Sequence, residues 1–181
     1  MRRTKKDLLI NPDIFDMFWE IMADSFPESE RKSKENYHHQ LSEKEFFIDL
    51  FLNETNQFMG FIAYWDLGEF KFIEHFAVRN IERNRGVGTE IFSEFVKTNS
   101  SFLLEVEPPL NETAKKRIRF YEKFGFHVLP YSYYQPSYHK NREDVDMLIM
   151  ANIPKLSKEE FDIVRMNIYK KVYNRYLTES K

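Results

Sequence analysis

A short segment rich in arginine and glycine, Arg83-Asn84-Arg85-Gly86-Val87-Gly88, constrains the fold of this chain more than any other feature. It follows an apolar, strand-like run from Phe72 to Val78 and precedes an amphipathic, helix-like run from Thr89 to Thr98. Backbone N–H groups at a helix N-terminus lack intrahelical acceptors and carry partial positive charge, so they suit phosphate oxygens. Glycine lets the backbone approach a ligand closely, and two of the chain's five glycines lie here. The segment therefore predicts an anion-binding loop between a strand and a helix.

Taken alone, the loop has a second interpretation. It lacks the G-x-G-x-x-G pattern, and no Gly-Lys-Ser/Thr follows it, so both common nucleotide-binding fingerprints are absent. A turn that uses glycine only for backbone freedom explains the loop as well as an anion site does. The remainder of the chain is needed to distinguish the two.

The composition excludes several classes of protein. With 181 residues, of which 42% are hydrophobic and 17% aromatic, the chain can bury one core, and we expect a single domain over residues 1–181. The 27 Lys and Arg residues nearly balance the 29 Asp and Glu residues, so we expect neither nucleic acid nor a membrane as a partner. The absence of cysteine excludes disulfides and thiolate nucleophiles, and the scattered histidines lead us to expect no metal.

The sequence also predicts a compartment. No apolar run approaches the ~20 residues that span a bilayer. The basic first residues are followed only by Leu8-Leu9-Ile10, which is too short for the apolar core of a secretory signal. We therefore expect a cytoplasmic protein.

The first half of the chain predicts one helix and a set of antiparallel strands. Leu8 to Ile10 fits a short edge strand, and Asn11-Pro12-Asp13 marks a helix start with a capping Asn. Phe26-Pro27 should end that helix. A polar loop and a short helix follow, and three strands then form an antiparallel meander, with a hairpin turn between the first two. The predicted strands are Glu45–Leu52, Gln57–Asp66 and Phe70–Val78.

The second half predicts alternating strands and helices. A strand at Ser101–Glu107 is stopped by Pro108-Pro109, and a helix over Glu112–Phe124 ends at Gly125. Two strands and a long last helix with an apolar stripe follow, at Phe126–Tyr131, Val145–Ala151 and Leu156–Leu177. This order predicts an α/β (α+β) fold with a mixed, largely antiparallel sheet flanked by helices and an additional C-terminal helix.

Two motifs together resemble a known family. Arg83-x-x-Gly86-x-Gly88 after a strand resembles the Arg/Gln-x-x-Gly-x-Gly/Ala acetyl-CoA-binding motif of the GNAT superfamily of N-acetyltransferases. Downstream, Phe120-Tyr121-Glu122-Lys123-Phe124-Gly125-Phe126 resembles the family's Tyr-Glu-Lys-x-Gly-Phe segment. The resemblance covers roughly residues 57–151 and implies a GNAT-like fold, with the N-terminal helices in the variable substrate region.

The resemblance implies how acetyl-CoA is held. The pyrophosphate would be bound by seven consecutive backbone amides, those of Arg83, Asn84, Arg85, Gly86, Val87, Gly88 and Thr89. The side chains of the two arginines would add positive charge. The backbone of Phe76, Ala77 and Val78 would pair with the pantetheine arm as if the cofactor were a strand. The basic run from Lys115 to Arg119 would meet the 3′-phosphate or form a solvated helix face.

The chemistry requires a group that takes a proton from the acceptor. An amine with a pKa near ~10.4 is almost entirely protonated at pH 7 and cannot attack a thioester. Glu74 is the first candidate, because the family often has a carboxylate there and regular alternation places it on the same face as Val78. Glu107 is the rival, and Glu105 shares its face. The same alternation points His75 away from Glu74, so we expect His75 to be packed or hydrogen-bonded.

The resemblance also implies an acid and an acceptor site. Tyr121 matches the tyrosine that protonates the departing CoA sulfur. For the acceptor we select Phe26 and Glu28 in the N-terminal loop and Tyr131 and Tyr134 in the tyrosine-rich loop, because carboxylates and aromatics suit a cationic amine. The expected partner is therefore a small-molecule or peptide amine.

Two alternatives stay open from the sequence. The chain could bind or sense acyl-CoA without turnover, or it could be a protein-interaction module. The apolar stripe of the last helix, formed by Phe161, Val164, Ile168, Val172 and Tyr176, fits either packing on the sheet or a homodimer face.

Overall fold

The computed structural model of the chain describes residues 2–97, 101–139, 142–153 and 155–174. The chain divides into two compact units. The first runs to Asp66 and resumes at Ile73 until residue 97, and the second contains Leu67–Phe72 and the described residues from Ser101 onward. The expectation of a single domain stays a prediction.

Three strands and the part of a fourth from Ile73 onward make the sheet of the first unit, in the order β1-β2-β3-β4. They are β1 (Arg2–Thr4), β2 (Phe46–Leu52), β3 (Phe58–Asp66) and β4 (Lys71–Val78). β1 and β3 both pair antiparallel with β2, and Phe46 lies opposite Trp65. The predicted hairpin is confirmed, because Asn53 N donates to Gln57 O at 3.0 Å across its turn.

Helices cover both faces of this sheet. They are α1 (Lys5–Ile10), α2 (Pro12–Ser25), α3 (Lys34–Gln40) and α4 (Val87–Val96). On one face Phe18 of α2 packs edge-on against Phe61, with ring centroids 4.8 Å apart. On the other face Phe95 of α4 packs against Tyr64 at 5.1 Å. Because successive side chains of β3 point to opposite faces, the sheet is apolar on both sides.

The start of α2 is as predicted, and the segment before it is not. Asn11 Oδ1 accepts hydrogen bonds from the amides of Asp13 (3.0 Å) and Ile14 (3.4 Å), so it caps α2. The prediction of an edge strand at Leu8–Ile10 is wrong, because these residues complete α1 and β1 is the edge strand instead. Three apolar residues fit either element, and the Asp7 carboxylate accepts from Thr4 N at 2.8 Å, which favours a helix start.

The second unit has its own antiparallel pairings. Its strands are β5 (Phe102–Val106), β6 (His127–Val128), β7 (Tyr133–Gln135) and β8 (Val145–Ala151). β8 pairs antiparallel with β5, β6 and β7. Strand β7, in which Tyr133 lies opposite Met147, was not predicted, because its residues fall in the tyrosine-rich segment expected to be a loop.

Two helices complete the second unit, α5 (Glu112–Glu122) and α6 (Lys158–Lys171). Asn111 Oδ1 accepts from Ala114 N at 2.8 Å and caps α5. Gly125 follows α5 with φ +80°, which confirms it as the helix stop, because this left-handed conformation favours glycine.

The predicted last helix begins two residues later than expected. Ser157 caps α6, and Glu160 N donates to its Oγ at 3.2 Å. Four members of the predicted stripe, Phe161, Val164, Ile168 and Val172, are buried within the chain. The helix ends at Lys171, six residues before the predicted end at Leu177, and Tyr176 lies outside the described residues. The burial favours packing over an exposed dimer face. Over the part of the chain that is described, no helix has both the length and the apolarity to span a bilayer.

Candidate active site

The loop after β4 presents backbone N–H groups at the start of α4. Asn84 has φ +63° and Gly86 has φ +82°, so the chain turns sharply twice before the helix begins. The first intrahelical bond is donated by Glu90 N to Gly86 O at 3.0 Å. The amides of Val87, Gly88 and Thr89 precede it and have no acceptor within the helix. Such a left-handed turn before a helix N-terminus fits a phosphate group.

Arg83 acts differently from its neighbours in this loop. Its amide donates to Asn80 O at 3.2 Å, so the available N–H groups begin after it. Its guanidinium donates to Val78 O through Nε and to Ser25 Oγ through Nη2, each at 3.1 Å. Arg83 therefore fixes the loop against the end of β4. Arg85 is largely exposed, and its Nη1 lies 3.6 Å from Glu82 Oε2.

The β4 residues chosen for pantetheine pairing lie close to β3. A Cβ added to Gly60 would lie 2.4 Å from Ala77 O and 3.2 Å from Val78 Cα. Because β3 has glycine at this position, the β4 backbone can approach without a clash. The Phe76 ring packs against Phe92 of α4 at 5.3 Å. The pairing of residues 76–78 with a cofactor stays a prediction.

Glu74 is held by two donors from different elements. Its Oε2 accepts from Gln40 Nε2 at 2.7 Å and from Trp65 Nε1 at 2.8 Å. Gln40 in turn accepts from the ammonium of Lys32, which lies 5.6 Å from the centroid of the Trp65 ring. The carboxylate is thus part of a polar array in the first unit that runs from Lys32 through Gln40 to Glu74.

Residues of β4 contact two different helices. Glu74 bonds to Gln40 and the adjacent His75 packs against Tyr37 at 6.2 Å, so both residues contact α3. Phe76 packs instead on α4. The expectation that His75 points away from Glu74 stays a prediction.

His75 is buried and hydrogen-bonded, as expected. Its Nε2 lies 3.2 Å from Glu30 O, and because a carbonyl only accepts, the imidazole is the donor. Burial lowers the pKa of His75, which favours the neutral ring. Phe26 packs edge-on against this ring at 4.5 Å, whereas Glu28 is exposed in a short 3₁₀ turn.

Tyr121 lies in the second unit, near the end of α5. Its ring is buried between Phe120, at a centroid distance of 5.2 Å, and Phe126, at 6.0 Å. Burial raises the pKa of Tyr121 to about 12, and the neighbouring Arg117 opposes that rise. The hydroxyl therefore stays protonated at neutral pH, as a proton donor must.

The rival carboxylates are engaged within the second unit. Glu107 is paired with the guanidinium of Arg117, and both side chains are exposed. Glu105 accepts from the hydroxyl of Tyr133, from Gln135 Nε2 at 2.6 Å and from Tyr173 Oη at 2.8 Å. The pair with Glu107 also supports the solvated-face interpretation of the basic α5 surface.

The two tyrosines chosen for the acceptor site contact the region of α6. Tyr131 donates to Leu156 O at 2.7 Å, and its ring lies 4.7 Å from that of Phe161. Tyr134 is more than half exposed, and its carbonyl accepts from the Tyr169 hydroxyl. Their roles in acceptor binding stay predictions.

The residues that hold Glu74 were not predicted from the sequence. Gln40 and Lys32 lie in a polar stretch with no motif, and Trp65 reads as one of several aromatic strand residues. Each reaches Glu74 or its partner through tertiary packing across 8 to 34 positions of sequence. One signal was present, a Trp on the strand directly before the one that carries Glu74. Among the described residues, no group of three or more His, Asp or Glu side chains is placed to hold a metal ion.

Comparisons with known proteins identify the family and the fold. The model of the acetyltransferase (GNAT) family matches residues 11–126. The match includes α2, so the N-terminal helix is part of the family pattern as well as the loop and α5. The curated protein "Putative acetyltransferase YjbC" of Bacillus subtilis strain 168 is 27% identical over 146 residues, which are 79% of this chain and 73% of that protein.

Solved structures of acetyltransferases have a similar fold. A GNAT-family structure from Bacteroides thetaiotaomicron is 28% identical, with a TM-score of 0.87 over 97% of this chain and 98% of that one. An aminoglycoside 6′-N-acetyltransferase complexed with coenzyme A is 17% identical, with a TM-score of 0.55 over 82% of this chain and 96% of that one, which is a likeness of fold alone. The predicted fold class is confirmed.

Proposed function

The chain belongs to the acetyltransferase (GNAT) family, and from that premise we propose that it transfers the acetyl group of acetyl-CoA directly to a primary amine. The observation that carries the proposal is the start of α4. There the amides of Val87, Gly88 and Thr89 follow the left-handed Gly86 and lack acceptors within the helix. This donor set fits a diphosphate, because several N–H groups and the positive end of the helix dipole point the same way.

Acetyl-CoA supplies the activated acetyl thioester, and the chain supplies the groups that move protons. We assign Glu74 as the base, because its carboxylate is held by donors from α3 and β3, whereas Glu107 is paired with Arg117 on an exposed surface. A base within hydrogen-bond reach of the acceptor, or reaching it through one water, converts the ammonium into a nucleophilic amine.

We assign Tyr121 as the acid that protonates the departing sulfur. A free thiol has a pKa near ~8.5, so its thiolate is a fair leaving group even without help. Because burial keeps the Tyr121 pKa at about 12, the hydroxyl is available as a donor throughout the neutral range. Tyr121 should accelerate the reaction without being indispensable.

A thiol-release assay with acetyl-CoA and a panel of amines tests the proposal. The panel should contain polyamines, aminoglycosides, amino acids and peptides with free N-termini, and mass spectrometry should identify the acetylated nitrogen. We expect at least one amine to be acetylated, with strongly reduced turnover in Glu74→Gln. Binding of acetyl-CoA without turnover of any amine would contradict the enzyme assignment and identify an acyl-CoA-binding module.

A further inference from the structure

We infer that Gln40 and Lys32 are positioning residues for Glu74: Gln40 fixes one oxygen of the carboxylate and couples it to the Lys32 ammonium. The inference rests on the proposed role of Glu74 as base. Neither residue belongs to the motifs that identify the family, and both come from the segment between α2 and the end of α3.

The neighbours of Gln40 determine the orientation of its amide. Its Nε2 donates to Glu74 Oε2 at 2.7 Å, and its Oε1 accepts from Lys32 Nζ. A carboxylate only accepts and an ammonium only donates, so the reversed amide would place oxygen against oxygen and N–H against N–H. Gln40 is almost fully buried, which restricts it further. The amide therefore transmits the position of Lys32 to Glu74.

Two hydrogen bonds anchor one oxygen of Glu74. Oε2 accepts from both Gln40 and Trp65, and these bonds hold the carboxylate in place. In the proposed reaction the carboxylate takes a proton from the acceptor ammonium. The N–H bond breaks, an O–H bond forms on the carboxylate, and the group becomes a neutral carboxylic acid that later releases the proton to solvent. Gln40 and Trp65 thus orient the base by anchoring Oε2.

The charge of Lys32 is coupled to the charge of Glu74. Burial lowers the pKa of Lys32, while Glu74 and Glu43 act in the opposite direction. His75, which burial keeps neutral, and Tyr37, whose pKa burial raises well above its ordinary value, also interact with Glu74. Lys32 is a neighbouring cation whose charge acts on Glu74.

Removal of the Lys32 charge gives a directional test. In Lys32→Met, the nearby positive charge is lost, so the protonated and inactive form of Glu74 becomes more stable relative to the ionised form. The base should therefore titrate at higher pH than in wild type. We expect an increase of about 0.5–1 pH unit, the size of a partly screened interaction across one amide. The shift should appear in the carboxyl ¹³C NMR titration of Glu74 in the ligand-free protein, assigned with Glu74→Gln. The acidic limb of kcat/KM against pH should move in the same direction.

Matched variants separate this effect from a loss of stability. Lys34→Met removes an exposed lysine from the same segment, where Nζ pairs with Asp16 at 2.7 Å, and should leave the titration unchanged. Lys32→Arg should retain the wild-type midpoint. Trp65→Phe removes the second donor to Oε2 and should also move the midpoint upward. If Lys32→Met does not fold, Lys32→Gln keeps the polar end and serves in its place.

The outcomes distinguish this inference from the proposed function. If Glu74→Gln has wild-type kcat, then Glu74 is not the base and both are wrong. If Glu74→Gln is inactive but Lys32→Met leaves the Glu74 midpoint where Lys34→Met leaves it, only the positioning role is wrong. If the Glu74 midpoint shifts in Lys32→Met and in Trp65→Phe but not in Lys34→Met, the result supports both the proposed function and the positioning role.

Discussion

Gly60 on β3 lies so close to Ala77 on β4 that a Cβ added to the glycine would sit 2.4 Å from the alanine carbonyl oxygen. Real Cβ atoms do not approach a backbone oxygen this closely. The contact sets the position of β4 just before the loop that leads to α4. It therefore connects the packing of the first unit with the geometry of the proposed acetyl-CoA site.

We expect Gly60→Ala to destabilise the protein by about 1–3 kcal/mol, the usual range for overpacking, because the backbone of β4 would have to move. Urea unfolding of the variant measures the loss. Gly88→Ala is the control, since its Cβ would lie 3.4 Å from Val78 Cγ2, in ordinary contact. Equal stability of wild type and Gly60→Ala would show that the two strands can separate freely at this point.

Tyr121→Phe should lower kcat by about 10- to 1000-fold while leaving the fold intact, because it removes only the hydroxyl. The wild-type hydroxyl, with a pKa of about 12, stays protonated throughout the usual assay range, so its titration should not limit activity below pH 10. Because the pKa of Tyr121 is higher in the folded state than in the unfolded state, the contribution of its protonation to folding stability is complete below pH ~10. That contribution is lost as the pH rises above this value. Steady-state kinetics of the two proteins are the measurement. An unchanged kcat would remove the acid role.

The stability of the fold should fall as the pH is lowered from 7 to 5, in part because of His75. Burial lowers its folded-state pKa below the ordinary ~6.5, with Lys32 and Arg31 acting in the same direction and Glu74 and the Glu30 carbonyl opposing it. The unfolded chain therefore binds the proton first, and the contribution is present above pH ~6.5 and lost below it. Thermal unfolding across this range should show a smaller fall in His75→Gln. If the unfolding temperature falls equally steeply with pH in both proteins, His75 does not contribute to the loss of stability.

Phe161→Ala should cost about 3–5 kcal/mol in unfolding free energy, because the ring is fully buried and packs against Tyr131. Ile163→Ala on the same helix is the matched control, since Ile163 is 63% exposed and should change stability by less than about 0.5 kcal/mol. Chemical denaturation of both variants makes the comparison. If both changes are equally small, the stripe of α6 is not part of the folded core.

Local signals in the sequence identified most of the fold. Asn11 before Pro12, the turn after Asn53 and Gly125 each act within a few residues, so their effects can be read without tertiary structure. Leu8–Ile10 was assigned wrongly because a short apolar run does not distinguish strand from helix, and β7 was missed because its pairing with β8 is a tertiary contact.

The site was predictable only where a motif is continuous. The Arg83–Thr89 loop and Tyr121 were selected from contiguous patterns. The donors to Glu74 were not, because Gln40 lies 34 positions away and reaches it only after α3 packs on the sheet.

Isothermal titration of acetyl-CoA into wild type and glycine variants tests the central claim most directly. Gly86→Ala forces a side chain into φ +82°, and Gly88→Ala places a methyl group at the first turn of α4. Gly68→Ala imposes a similar backbone strain at φ +94° in the turn before β4 and is the matched control. We predict that wild type and Gly68→Ala bind alike, whereas the two loop variants bind at least about tenfold more weakly, a loss of ~1.4 kcal/mol. Equal affinity in all four proteins, or no binding by wild type, would contradict the account.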